Sequence, residues 1–321
     1  MNILKQMKKM AKNKETTIVL PEANQDERVK SACEIILKQK ISKIVVFGSL
    51  SEFPAIFQNN SMCEVINIEE SEKLNEFSAQ LYEMRKSKGL TQEQAVELIK
   101  QPIYFAMMLL KNNLADGVVA GAKYSTADVL RPGLQIIKTK PNKKIVTGGM
   151  LMVKKGCRPL FFGDVSLIQQ PTSEELAEIA IAGADFMKQV VETEPQVAML
   201  SFSTKGSAKH EMVQKIQQAT ELAKSKSDYA IDGEMQADSA LDVATSQKKG
   251  ITSSVGGNAN VLIFPDLNAG NIGYKLVARL GGYDAIGPIM LNFNKPINDL
   301  SRGCTVQEII NTVVITKLLS E

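Results

Sequence analysis

Residues 197–208 read Val-Ala-Met-Leu-Ser-Phe-Ser-Thr-Lys-Gly-Ser-Ala. An apolar run of strand length gives way to hydroxyls, a lysine and a glycine. From residue 208 to 225 apolar residues then recur at helical spacing. Buried strand, polar turn and amphipathic helix together are the repeating unit of an α/β fold. Working outward, strands are predicted at 17–20, 43–47, 65–68, 117–120 and 144–152, and again at 229–231, 259–264 and 285–290. Helices are predicted at 27–38, 71–88, 103–114, 173–191, 271–280 and 306–319. The alternation predicts an α/β protein whose sheets are largely parallel and flanked by helices.

The 321 residues suit two lobes at about 150 residues each. The turn-rich stretch 140–143 (Lys-Pro-Asn-Lys) and the stretch 292–298, carrying Pro296, are the expected crossings between them. This divides the chain into 1–141 plus 296–321 and 142–295. Hydrophobic residues at 44% and charged residues at 23% exclude a disordered or collagen-like chain. A net charge of +3 lacks the clustered basic surface of a non-specific nucleic-acid binder. No apolar run approaches the ~18 residues of a membrane span. Residues 1–14 are Lys-rich but interrupted, and predict a first amphipathic helix rather than a signal peptide. Cys33, Cys63, Cys157 and Cys304 stand apart, as reduced thiols of a cytoplasmic protein do. A single histidine, His210, cannot build a multi-His zinc site.

Four loops combine small polar residues, glycine and a cation where a strand hands over to a helix, the place where open α/β sheets collect ligands. In the first, Ser203, Thr204, Lys205, Gly206 and Ser207 suit an anion, or equally a helix cap on Ser207. In the second, Gly270 and Gly273 allow close backbone approach, with Asn268, Asn271 and Lys275 as polar groups; tight helix packing explains the glycines as well. In the third, Ser125 or Thr126 caps a helix that carries Arg131 toward a cleft or into solvent. The fourth holds Ser301, Arg302 and Cys304, followed by Thr305-Val306-Gln307-Glu308, a capping box. No histidine neighbours Cys304, which favours an inert buried thiol over a nucleophile.

Taken together, the segments Leu-Ser-Phe-Ser-Thr-Lys-Gly-Ser-Ala (200–208), Ile-Asp-Gly-Glu-Met-Gln-Ala-Asp-Ser-Ala (231–240), Phe-Pro-Asp-Leu-Asn-Ala-Gly-Asn-Ile-Gly-Tyr-Lys (264–275) and Lys-Pro-Ile-Asn-Asp-Leu-Ser-Arg-Gly-Cys (295–304) resemble the phosphotransacetylases, in family order and over nearly the whole chain. The resemblance implies two α/β lobes, one made by both chain ends, with the active site in the cleft between them. It implies a homodimer that moves acetyl reversibly between CoA and inorganic phosphate, giving acetyl phosphate, in acetate metabolism coupled to acetate kinase. It implies no tightly bound cofactor, CoA being a substrate.

Carried over by motif, the family's serine–arginine pair falls on Ser301 and Arg302, and two further arginines fall on Arg85 and Arg131 as CoA-phosphate ligands. The family's general-base aspartate falls on Glu308, a departure that keeps the carboxylate and adds one methylene. A cysteine often found near the cleft has Cys157 as its only match, in a segment (154–160) that looks shortened. The implied chemistry is direct attack of the CoA thiolate on the acetyl carbonyl in a ternary complex. Its rivals are a ping-pong route through Cys304, a butyryl-transferring relative, and a non-catalytic CoA or acetyl phosphate binder. A metal- and nicotinamide-dependent dehydrogenase would need Asp232, Asp238 and Asp266 as ligands, and no dinucleotide glycine fingerprint follows a strand.

Overall fold

The computed structural model describes residues 3–320; residues 1, 2 and 321, including the start of the predicted helix 1–14, lie outside the described residues. Two compact units form, one from Leu4–Pro141 with residues 293–320, the other from Asn142–Asn292. Both are α/β with mostly parallel strands.

The chain lays down β1 (Thr17–Val19), β2 (Lys43–Phe47), β3 (Cys63–Ile66) and β4 (Gly117–Ala120) in the first unit. In the second it makes β5 (Thr147–Val153), β6 (Leu160–Gly163), β7 (Gln196–Leu200), β8 (Ala230–Met235), β9 (Val261–Ile263) and β10 (Asp284–Leu291). The last strand, β11 (Ile297–Asp299), belongs again to the first unit.

The first sheet runs β11-β4-β1-β2-β3, every pair parallel. Strands covered on both faces need unbroken apolar runs, and all four residues of β4 are buried. Helices supply the cover: Phe105 packs edge-on to Phe47 at 5.5 Å and against Phe77 at 5.1 Å. Register brings Asp299 opposite Ala120, so the carboxyl ends of β11 and β4 finish level, while β1 ends two residues earlier, with Val19 opposite Val118. The segments that leave those ends therefore meet.

The second sheet runs β10-β5-β6-β9-β7-β8 and is parallel except for β5, which is antiparallel to both neighbours. The link from Val153 to Leu160 is too short for a crossover helix, so β5 and β6 close as a hairpin. Phe162 stacks with Phe264 at 5.2 Å and Phe161 with Phe186 at 5.3 Å in its core. The helix predicted from residue 208 begins later, at Glu211, because His210 is its N-cap: Nδ1 accepts the Met212 N–H at 3.2 Å. The helix Leu267–Gly281 starts earlier than predicted, under an Asp266 cap. A Cβ on Gly270 would press on the Asp164 carbonyl, so glycine is what lets this helix lie close to the loop after β6.

Candidate active site

Three residues beyond β1 stands Glu22, buried and 1% exposed. Its Oε2 accepts the N–H groups of Gly121 at 2.8 Å and Ala122 at 3.0 Å. Its Oε1 accepts those of Lys123 at 2.6 Å and Tyr124 at 2.8 Å. Four consecutive amides make a strong anion nest, and this one is filled from inside the protein. Those four amides of the loop after β4 are thus taken up by Glu22, and the loop leads into the helix Thr126–Pro132. Ser125 caps that helix in a reciprocal box with Asp128. Thr126 donates its hydroxyl to Asp299 Oδ2 at 2.7 Å.

Ser301, Arg302 and Gly303 form an exposed turn directly after β11, with Ser301 Oγ accepting the Gly303 N–H at 3.3 Å. The turn is held from beneath by Arg28. One guanidinium nitrogen donates to the carbonyls of Arg302 at 2.8 Å and Cys304 at 2.9 Å; the other reaches the Ala122 carbonyl at 3.2 Å and Asp26 at 2.8 Å. Arg28 thereby ties the Ser301–Arg302 turn to the loop organised by Glu22. Cys304 is buried, and burial pushes its thiol up to about 11, against the pull of Arg28. Glu308 closes the capping box predicted for the last helix, Val306–Leu319: Oε2 accepts the Thr305 N–H while Thr305 Oγ1 accepts that of Glu308.

The arginines form a connected series. Arg131 lies 3.8 Å from Asp128. The Ser125 hydroxyl, then the charges of Arg131 and Arg302, hold the Asp128 carboxyl below the usual carboxylate range. Tyr104 is raised by burial, while Arg131 and Arg85 oppose the rise, so both arginines bear on one phenol. Arg85 also lines a cavity of about 220 Å³ with Lys88, Gln94, Tyr104 and Gln135. Two cations, two amides and a phenol around that space suit a phosphorylated ligand.

In the second unit the predicted anion loop has internal partners. Glu234 is 1% exposed; its Oε1 accepts from Ser203 Oγ at 2.9 Å and from the Gly206 N–H at 2.7 Å, and its Oε2 from Gln217 at 3.0 Å. Burial works against this carboxylate, yet those three bonds hold it below its usual range. Thr204 Oγ1 bonds Gln236, and Ser207 Oγ accepts the Thr204 N–H. Lys205 pairs with Asp232, which also accepts from Ser253. Asn271 donates to the Val165 carbonyl at 3.0 Å, whereas Asn268 and Lys275 are exposed. Asp238 pairs with Lys249 and Asp266 caps its helix. Among the described residues no three metal-ligating side chains come together.

The arrangement therefore gathers Ser125, Thr126, Arg131, Ser301, Arg302 and Glu308 at one end of the first sheet, with Arg85 joined through Tyr104. Sequence reasoning missed Glu22, Arg28 and Asp299. An acid just past an apolar strand, in Leu-Pro-Glu, was the available signal for Glu22.

A family profile described as Phosphate acetyl/butaryl transferase matches residues 2–317. A phosphate acetyltransferase of Thermoanaerobacterium thermosaccharolyticum is 44% identical, with all of both chains covered. One of Acetivibrio thermocellus is 45% identical over 100% of this chain and 99% of its own. The crystal structure of a phosphotransacetylase from Streptococcus pyogenes superposes with a TM-score of 0.91 at 39% identity, covering 98% of this chain and 97% of the other.

Proposed function

The chain belongs to the phosphate acetyl/butaryl transferase family, and from that premise we propose how its residues transfer an acetyl group. It acts as a phosphate acetyltransferase, moving acetyl reversibly between CoA and inorganic phosphate. The observation that carries the mechanism is the exposed Ser301–Arg302 turn, fixed by Arg28 at the end of a parallel sheet.

In the direction of acetyl-CoA synthesis, the CoA sulfur attacks the acetyl carbonyl of acetyl phosphate. The S–C bond forms, the C–O bond to phosphorus breaks, and phosphate departs with the electron pair. A mixed anhydride already carries a good leaving group, so the demands are thiolate formation and stabilisation of negative charge. Arg302 meets the second demand: a planar fork matches phosphate oxygens and its fixed charge favours the developing oxyanion. Ser301 donates a hydrogen bond to the carbonyl or phosphate oxygen. Glu308 receives the thiol proton. A thiol is a much weaker acid than a carboxylic acid, so proton transfer accompanies attack rather than preceding it. Arg85 and Arg131 bind the CoA phosphates, with Lys88 beside Arg85 in the same cavity. In the second unit Lys205 is held by Asp232, and Asn268 and Lys275 are exposed.

A homodimer is part of this reading. Ile272, Leu276 and Leu280 lie at successive turns of the helix Leu267–Gly281 and are 57%, 52% and 84% exposed. Such a stripe suits a self-complementary contact with a second copy. The enzyme works in the cytoplasm beside an acetate kinase that exchanges acetyl phosphate with it; no helix among the described residues is long and apolar enough to cross a membrane. The decisive assay is CoA-dependent consumption of acetyl phosphate, run beside butyryl phosphate. Faster turnover of the butyryl compound would reassign the acyl preference, and no turnover of either would refute the function.

A further inference from the structure

Asp299 ends β11, two residues before Ser301, and is 2% exposed. Its Oδ2 accepts the Thr126 hydroxyl at 2.7 Å; its Oδ1 is buried without a hydrogen-bond partner. The adjacent Leu300 N–H is engaged with the Ala120 carbonyl at 2.7 Å. Oδ1 rests against Gly121, at φ +115°, where any Cβ would overlap it. The other buried acid here, Glu22, holds the four loop amides, so none turns to Asp299. Burial pushes the Asp299 carboxyl up to about 6, the Thr126 bond and the Leu300 N–H oppose this, and the Glu22 charge adds to it. Ionisable groups on the surrounding elements also include Arg28, Lys123, Tyr124, Asp128, Arg131, Arg302, Cys304 and Glu308. Asparagine has the same shape and would carry no buried charge. Asparagine at this position therefore separates the charge of the group from its shape.

We infer that Asp299 is a positioning residue of the transfer reaction: as a carboxylate it binds Thr126 and so sets the Ser301–Arg302 turn against the helix that carries Arg131. The inference rests on the proposed roles of Ser301 and Arg302. In its anionic form Asp299 can only accept, which fixes the Thr126 hydroxyl as donor. Once protonated it competes as a donor, and the link loses its fixed direction.

The test compares Asp299→Asn and Thr126→Val with the parent enzyme in kcat, in KM for CoA and acetyl phosphate, and in Tm, from pH 5 to 9. Because this acid is raised, folding favours its neutral form, so its contribution to stability is present at low pH and is lost as pH rises through about 6. Asp299→Asn should therefore melt above the parent at pH 8, with the gap closing toward pH 5. Its kcat at pH 8 should fall about tenfold or more while KM moves less than about twofold, and the parent's acidic loss of kcat near pH 6 should vanish. Thr126→Val should shift that limb upward, having lost the bond that opposes protonation. Parental kcat in Asp299→Asn across the range, or a lower kcat with the acidic limb intact, would overturn the inference. An inactive parent would instead reject the proposed function, and the Tm comparison would still report whether Asp299 is charged.

Discussion

Glu308 Oε2 accepts the backbone N–H of Thr305 at 2.6 Å, so the side chain proposed as proton acceptor is also the second half of a helix cap. The two roles separate in Glu308→Gln, because glutamine retains the cap and loses the basicity. Tm should stay at the parental value while kcat falls on the order of a hundredfold. A full rate would confine Glu308 to the cap.

Arg302→Ala should lower kcat by a factor of about a hundred or more, the usual effect of removing one preorganised charge-stabilising donor. Arg302→Lys should recover little of it, since a point charge does not replace a planar fork. Steady-state kinetics with acetyl phosphate and CoA decide both.

Glu22→Ala leaves four loop amides without their acceptor. Unsatisfied buried donors are expensive, and the variant should lose at least about 3 kcal/mol of stability, read from its urea midpoint. Glu22→Gln should be intermediate, because its amide nitrogen must face donors. Stability unchanged in both would remove Glu22 as the organiser of the loop after β4.

With its thiol at about 11, Cys304 offers on the order of one thiolate in ten thousand molecules at pH 7. Cys304→Ser should turn over within about twofold of the parent, and acid quenching during turnover should yield no acetylated protein. A trapped acetyl-Cys304 that passes its acetyl to CoA would establish the ping-pong route instead.

If the stripe Ile272–Leu276–Leu280 meets its own copy, Leu276→Asp with Leu280→Asp should convert a dimer to a monomer in sedimentation velocity. An unchanged dimer would move the interface elsewhere.

Much of the fold was legible because periodicity is local. Strands β2 and β4 and the helices Glu27–Lys38 and Val306–Leu319 end where the pattern predicts. The strand β6 (Leu-Phe-Phe-Gly) was missed, as was β11, whose pattern is polar: Asn298 and Asp299 are buried, and both use their side chains in bonds to other segments. Motifs located Ser301, Arg302, Arg85 and Arg131. The partners that organise them were not legible. Glu22 meets residues about a hundred positions away, and Glu234 satisfies Ser203 and Gly206 from another strand. Such pairings are made only when sheets assemble. They explain why a hydroxyl- and glycine-rich loop that reads as an anion site holds an internal carboxylate.

The interleaving of the two units sets an order on biosynthesis. When the ribosome has added residue 292, every strand of the second sheet exists, but the first sheet still lacks β11 and its closing helix. The flank of β4 is then an open template for unwanted pairing. The nascent polypeptide must be shielded there until residues 293–320 arrive, and translation past Asp299 is what brings the reactive turn into existence.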